Sequence, residues 1–306
     1  MNSELEQVIA QVGKVVKGKD DVIRKVLAAV LAGGHVLLED IPGVGKTTLA
    51  MALGRAMKLE YRRMQFTPDV LPSDIVGFTM YNGAQGTFEY KPGAIFSNLF
   101  LADELNRTSS KTQSALLEVM EEGRVTVDGI THALPEPFTV IATENPYGSS
   151  GTQLLPESQL DRFLICLTMG YPAHRAAVEI LKESAGGGLE QVEAVLSGER
   201  LLQLREQAKK LHVSDVIHEY IVNLTEETRN DPRIALGVSP RGSIALLKMA
   251  RAIAVIRGGE YVIPEDVLAV IPEVWSHRIH LTAMARAEGT DVAGVIREIT
   301  ERIRAV

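Results

Sequence analysis

The chain has a single cysteine, Cys166, among its 306 residues, so no internal disulfide can brace it. Cys166 lies within Phe163-Leu164-Ile165-Cys166-Leu167, with no helix start or basic neighbour to lower its pKa, and reads as a small core residue rather than a nucleophile. No apolar run is long enough to span a bilayer, and Met1-Asn2-Ser3-Glu4-Leu5-Glu6 has none of the features of a signal peptide. The expected compartment is therefore the cytoplasm, with no membrane contact. No His and Cys residues have the spacing of a zinc or iron site. Basic residues are in deficit: 32 Lys and Arg face 39 Asp and Glu, a net charge of −7. A dedicated duplex-binding protein shows a basic stripe instead, so nucleic acid is not the expected partner. Internal repeats, low-complexity tracts and long like-charge runs are absent.

What is present is an ordinary globular composition, 45% apolar and 23% charged, in a chain long enough for two domains. In the first half, strands alternate with helices. Residues 35–38, 61–65, 99–102, 138–143 and 163–168 read as strands, and 3–14, 20–32, 49–53 and 111–122 as helices. Two hairpins interrupt them, 78–81 with 87–90 around Asn82-Gly83 and 124–127 with 130–133 around Asp128-Gly129. This alternation predicts a mostly parallel, three-layer α/β sheet. Past Gly170-Tyr171-Pro172 the strand signals largely stop. Helices are expected over 173–184, 199–211, 214–228, 240–256, 264–271 and 291–304, with Gly186-Gly187-Gly188 as a flexible loop. The division falls at residue 171: an α/β domain over 1–171 and a helical domain over 172–306. Trp275 and His277 sit in an apolar stretch and are expected to pack the helical part.

The chemistry begins at Glu39-Asp40-Ile41-Pro42-Gly43-Val44-Gly45-Lys46-Thr47-Thr48, set between a strand and a helix. That context makes it a phosphate-binding loop. Gly43 and Gly45 let backbone N–H groups converge on phosphate oxygens, and the helix start adds its unpaired N–H groups and positive dipole end. Pro42, Gly43, Val44, Gly45, Lys46, Thr47 and Thr48 are the candidate binding residues. Lys46 reaches the outer phosphates, and the Thr47 hydroxyl ligates magnesium. Asp40 replaces the first glycine of the GxxxxGK[ST] pattern. Asp tolerates left-handed backbone angles, so the turn is expected to survive, with the carboxylate facing away from phosphate.

Leu99-Phe100-Leu101-Ala102 ends in Asp103-Glu104, at the carboxyl edge of a strand where α/β sheets bind ligands. Paired with Lys46-Thr47, Asp103 is placed to hold magnesium and Glu104 to orient the attacking water. Asn145, in Ala142-Thr143-Glu144-Asn145-Pro146, either hydrogen-bonds the terminal phosphate or attacking water, or simply opens a turn. Arg162, before the fifth strand, is either a solvated charge or an arginine finger for a neighbouring subunit. Arg241 follows Ser239-Pro240, an N-cap and first-turn pair, and either leans over the nucleotide or lies on the surface.

Together these segments resemble the MoxR family of AAA+ ATPases over nearly the whole chain. The resemblance is carried by Leu38 through Thr47, Gln65-Phe66-Thr67-Pro68-Asp69-Val70-Leu71-Pro72-Ser73-Asp74, Leu101-Ala102-Asp103-Glu104-Leu105-Asn106-Arg107, Ala142 through Pro146, Leu155 through Phe163, and Ser239-Pro240-Arg241-Gly242. It implies a P-loop α/β/α core with a five-stranded, mostly parallel sheet and a C-terminal helical lid, binding ATP and Mg2+. It also implies that Lys46 and Thr47 belong to Walker A and Asp103 and Glu104 to Walker B. Asn145 resembles sensor 1, Arg162 the arginine finger and Arg241 sensor 2, while Val16-Lys17-Gly18 resembles the segment against adenine. Whether Arg162 or Arg107 acts in trans stays open at this level. Gln65, at a strand end, is expected to restrain Glu104.

The family further implies an ATP-hydrolysing homo-oligomer, a hexameric ring, with a von Willebrand factor A domain partner and a protein client. Its role would be to remodel that client or to help mature or insert metal cofactors into enzyme complexes. Two alternatives remain at sequence level: a nucleotide-gated binding module with negligible hydrolysis, and a ring motor acting on nucleic acid.

Overall fold

The computed structural model describes residues 2–145, 155–183 and 188–304; Pro146 and Gly186-Gly187 lie outside the described residues. Two helices open the chain. In α1 (Ser3–Gly13) the Asn2 side chain accepts from the Glu4 N–H at 3.2 Å, and Leu5, Val8, Ile9 and Val12 form the buried face. α2 (Asp20–Leu31) buries a broader stripe, and Gly33, at φ 71°, then turns the chain toward the sheet.

The chain continues through β1 (Val36–Glu39), α3 (Lys46–Ala56), β2 (Tyr61–Gln65) and α4 (Pro72–Val76). The hairpin β3 (Gly77–Asn82) and β4 (Thr87–Pro92) precedes β5 (Leu99–Asp103) and α5 (Ser110–Glu122). A second hairpin, β6 (Arg124–Val127) and β7 (Ile130–Ala133), precedes β8 (Thr139–Glu144), α6 (Glu157–Leu160) and β9 (Ile165–Leu167). Five of these strands form one sheet in the order β2-β5-β8-β1-β9, each pair parallel. Successive residues of β5 serve opposite faces: Leu99 and Leu101 join the cluster containing α1, α2 and α3, while Phe100 and Ala102 pack with Leu116 and Leu117 of α5. Both faces are covered, so every residue of β5 is buried. The expected three-layer α/β core is what forms.

The remainder is α7 (His174–Glu183), α8 (Gly198–Lys210), α9 (Asp215–Asn230), a strand β10 (Ile234–Leu236), α10 (Pro240–Arg257), α11 (Pro264–Leu268), α12 (Ile271–Trp275), a strand β11 (His280–Leu281), α13 (Ala283–Ala287) and α14 (Val292–Arg302). The helix expected over 264–271 breaks into α11 and α12. Pro272 lacks the N–H that would bond the Leu268 carbonyl and instead occupies the first turn of α12. The antiparallel pair β10–β11 was not expected; three residues facing two are too short for a period to register. The helical part is seated on the core by Arg200–Glu4 at 2.8 Å, Lys25–Glu273 at 2.7 Å and Arg278–Asp161 at 2.6 Å. Trp275 is wholly buried, and His277 is bonded to the Phe163 carbonyl at 3.2 Å, so both are packing residues as expected. Cys166 is buried too, and burial raises its thiol pKa well above the ordinary value. Among the described residues no helix is long and apolar enough to cross a membrane.

Candidate functional site

The loop between β1 and α3 takes its shape from two glycines. Gly43 has φ 85° and Gly45 φ 98°, left-handed values that residues with a Cβ adopt only under strain. A Cβ built on Gly43 would meet no atom within 4 Å, which leaves that side of the loop open for a ligand. Gly45 caps α3, which begins at Lys46 rather than at residue 49, so Lys46, Thr47 and Thr48 form its first turn with backbone N–H groups free of intrahelical partners.

Asp40 departs from the expected mechanism but not from the expected orientation. It is not among the positive-φ residues, so left-handed tolerance is not what preserves the turn. Its carboxylate instead accepts from its neighbour's Ile41 N–H at 2.7 Å and from the Gly170 N–H at 2.6 Å. The charge is thus engaged by the connection after β9.

Pro42, Gly43, Gly45, Lys46, Thr47 and Thr48 line one cavity of about 330 Å³ with Arg63, Gln65, Asp103, Glu104 and Asn145. The Lys46 ammonium donates to the Asp40 carbonyl at 2.5 Å and to the Glu144 carbonyl at 3.4 Å. Burial lowers its pKa from the ordinary value, opposed by the carboxylates of Asp40, Asp103 and Glu104. Asp103 accepts the Thr143 hydroxyl at 2.7 Å on Oδ1 and the Arg63 guanidinium at 2.6 Å on Oδ2. Glu104 has a left-handed backbone, φ 57° and ψ 50°, uncommon for a residue with a side chain of this size. Its N–H donates to the Thr143 hydroxyl at 2.8 Å, and its Oε2 accepts from Gln65 at 2.7 Å and Arg107 at 2.6 Å. The expected restraint of Glu104 by Gln65 is present. Asn145 is tied in through its carbonyl, which accepts from the buried Asn106 amide at 3.1 Å.

The donor set suits the ligand. A hydroxyl and a carboxylate are hard oxygen donors appropriate to magnesium, beside a helix start, an ammonium and two open glycines appropriate to phosphate. Among the described residues no group of three or more His, Cys, Asp and Glu side chains could hold a metal ion, so the candidate donors are one hydroxyl and one carboxylate beside the phosphate loop.

Two groups of expected residues lie elsewhere. Val16 is buried and Gly18, at φ 66°, is close-packed on α7, where a Cβ would come within 3.1 Å of Ala176. Lys19 beside them donates to the Tyr171 carbonyl at 2.9 Å and to that of Met169, whose methyl group faces Gly45, so this turn borders the phosphate loop through the β9–α7 connection. Arg162 and Arg241 line a different cleft of about 210 Å³, with Gly33, Gly34, Glu121, Asp161 and Lys248. Gly33 and Gly34 precede β1 and the phosphate loop follows it, so the two sites stand at opposite ends of one strand. Arg107, by contrast, pairs with Glu104 of the first cavity in its own chain, at 2.6 Å.

Sequence reasoning missed Arg63 and Thr143. Arg63 could have been found, since it shares a strand face with Gln65 at a spacing of two. Thr143 could not, because nothing local tells that its hydroxyl bridges Asp103, the last residue of β5, and Glu104 after it.

The chain is similar to known proteins over nearly its whole length. The model for the ATPase family associated with various cellular activities (AAA) matches residues 35–165, and that for the AAA lid domain matches residues 226–299. Protein YeaC of Bacillus subtilis is 46% identical over 301 residues, spanning 98% of this chain and 94% of that protein. Chaperone MoxR1 of Mycobacterium tuberculosis is 39% identical over 308 residues, 98% of this chain and 81% of its own. The crystal structure of a candidate ATPase from Cytophaga hutchinsonii superposes with a TM-score of 0.92 at 37% identity, covering 100% of this chain and 96% of that one. The sheet, the lid and the loop-to-carboxylate cavity together with these near-full-length likenesses establish that the chain belongs to the MoxR family of AAA+ ATPases.

Proposed function

We propose that this protein hydrolyses ATP to ADP and phosphate and uses the cycle to remodel client proteins as a chaperone, including the maturation or metal loading of enzyme complexes. The supporting observation is the single cavity in which Lys46, Thr47, Asp103, Glu104 and Asn145 converge. In this reading residues 1–171 bind the nucleotide, with Val16 and Gly18 toward adenine, and residues 172–306 act as the lid. Lys46 leaves its carbonyl partners for the outer phosphates. Thr47 and Asp103 would hold a magnesium ion bound with ATP, which would offset charge on the phosphate oxygens. Glu104 polarises the attacking water once it is free of Gln65 and Arg107, and Asn145 orients that water or the terminal phosphate.

Arg162 and Arg241 complete the site of a neighbouring copy. The four residues of β1 separate them from their own phosphate loop, about 13 Å of strand at roughly 3.3 Å per residue, beyond the reach of an arginine side chain. A hexameric ring acting in the cytoplasm, engaged by a partner with a von Willebrand factor A domain, is the assembly this reading implies.

Replacement of Glu104 by Gln tests it. Turnover is expected to fall at least about a hundredfold while ATP binding persists. A variant that hydrolyses ATP as fast as the wild type would remove the water activator. Equal, negligible turnover of both proteins would favour a nucleotide-gated binding module.

A further inference from the structure

Arg63 lines the cavity and pairs with Asp103, yet the proposed hydrolysis gives it no role. It lies two residues before Gln65 on β2, and Gln65 is the register partner of Asp103. Both side chains therefore project from one strand face onto the end of β5. The guanidinium places Nε at 3.1 Å and Nη2 at 2.6 Å from a single oxygen, Asp103 Oδ2, and Nη2 also donates to Gln65 Oε1 at 2.7 Å. The other oxygen, Oδ1, is held by Thr143.

These two holds differ in kind. Thr143 is wholly buried, whereas the Arg63 side chain is 44% exposed, with solvent beside it. Asp103 thus has one oxygen fixed by the core and one attended by a movable cation. A divalent ion that takes this carboxylate, directly or through water, approaches a position already occupied by positive charge, and two cations against one carboxylate repel each other.

Resting on the reading of Asp103 as the metal carboxylate, we propose that Arg63 is the resident counter-ion of Asp103, which the divalent cation displaces on entry. The displacement is relayed. Gln65 Oε1 loses its donor when Arg63 leaves, and Gln65 is one of the two residues that hold Glu104, by Nε2 at 2.7 Å. Metal entry therefore unsettles one of the two groups that hold Glu104, while Arg107 keeps its own hold on Oε2 at 2.6 Å.

The test needs no turnover. Mn2+ is titrated into the ADP-loaded protein and the free ion followed by electron paramagnetic resonance. Arg63→Gln is expected to bind Mn2+ about tenfold more tightly than wild type. Arg63→Lys, which keeps the charge but not the fork, is expected to fall between them. Arg62→Gln removes the same charge from a neighbour that pairs with Glu60 instead, and is expected to match wild type. Unchanged or weaker Mn2+ binding by Arg63→Gln overturns the proposal, as does equal tightening in Arg62→Gln. An Asp103→Asn protein that retains full Mn2+ affinity would instead overturn the metal reading on which the proposal stands.

Discussion

Arg162 and Arg241 meet at one carboxylate: Glu121 lies 3.4 Å from the first and 3.5 Å from the second. One arginine precedes β9 and the other opens α10, so a single acidic side chain of α5 presents two guanidinium groups from separate parts of the chain. If they serve the next copy's site, the defects of Arg162→Ala and Glu104→Gln fall on opposite sides of each subunit boundary. Each variant alone is expected to lose on the order of a thousandfold in turnover. Mixed in equal amounts, they are expected to recover about a quarter of wild-type activity, because random assembly pairs an intact Glu104 with an intact Arg162 at one boundary in four. No recovery in the mixture, measured as phosphate release, would place Arg162 outside the neighbouring site.

Asp40→Gly restores the usual first glycine of the loop, yet it is expected to destabilise the protein. The carboxylate satisfies the Ile41 and Gly170 N–H groups from a largely buried position. Losing both bonds is expected to cost about 2 kcal/mol in urea unfolding. Affinity for an ATP analogue should rise by no more than about threefold, because the carboxylate acts on Lys46 but is bonded outside the cavity lining. Undiminished stability would show that Gly170 is held by something else.

Glu144 gives a pH signature. Burial, reinforced by Glu39, pushes its carboxyl up to about 7, and among the described residues its Oε1 has no hydrogen-bond partner. Between the ordinary carboxylate value and 7 the folded chain keeps a proton that the unfolded chain has released. Stability from this group is therefore present at low pH and lost as pH rises through that window. His35 acts in the opposite sense, since burial lowers its pKa to about 4. The wild-type curve alone mixes the two. The difference between wild type and Glu144→Gln isolates the carboxyl: from pH 5 to pH 8 the variant should gain on the order of 2 kcal/mol relative to wild type. A constant difference across that range would contradict this.

Local pattern sufficed wherever one segment carried its own signal. The glycine loop, the apolar run ending in Asp103-Glu104 and the Asp128-Gly129 turn were legible because spacing and residue type are set within a few positions. What was not legible depends on strands distant in sequence. Thr143 bridges Asp103 and Glu104 only because β8 lies beside β5, and the Asp40 carboxylate finds Gly170 only because β9 lies beside β1. The left-handed backbone of Glu104 is likewise imposed by its surroundings, since a glutamate has no preference for it.

The separation of the phosphate loop from Arg162 and Arg241 along β1 carries a consequence for architecture. A twofold pair buries one patch against itself; if Arg162 and Arg241 serve a neighbouring copy, the contact instead joins two different patches, from opposite ends of β1, head to tail. Repetition of such a contact either closes on itself by rotation or runs on as a filament. A solitary protomer would carry two unfinished half-sites, and specific activity should then fall steeply on dilution, without any change in the fold of the individual subunit.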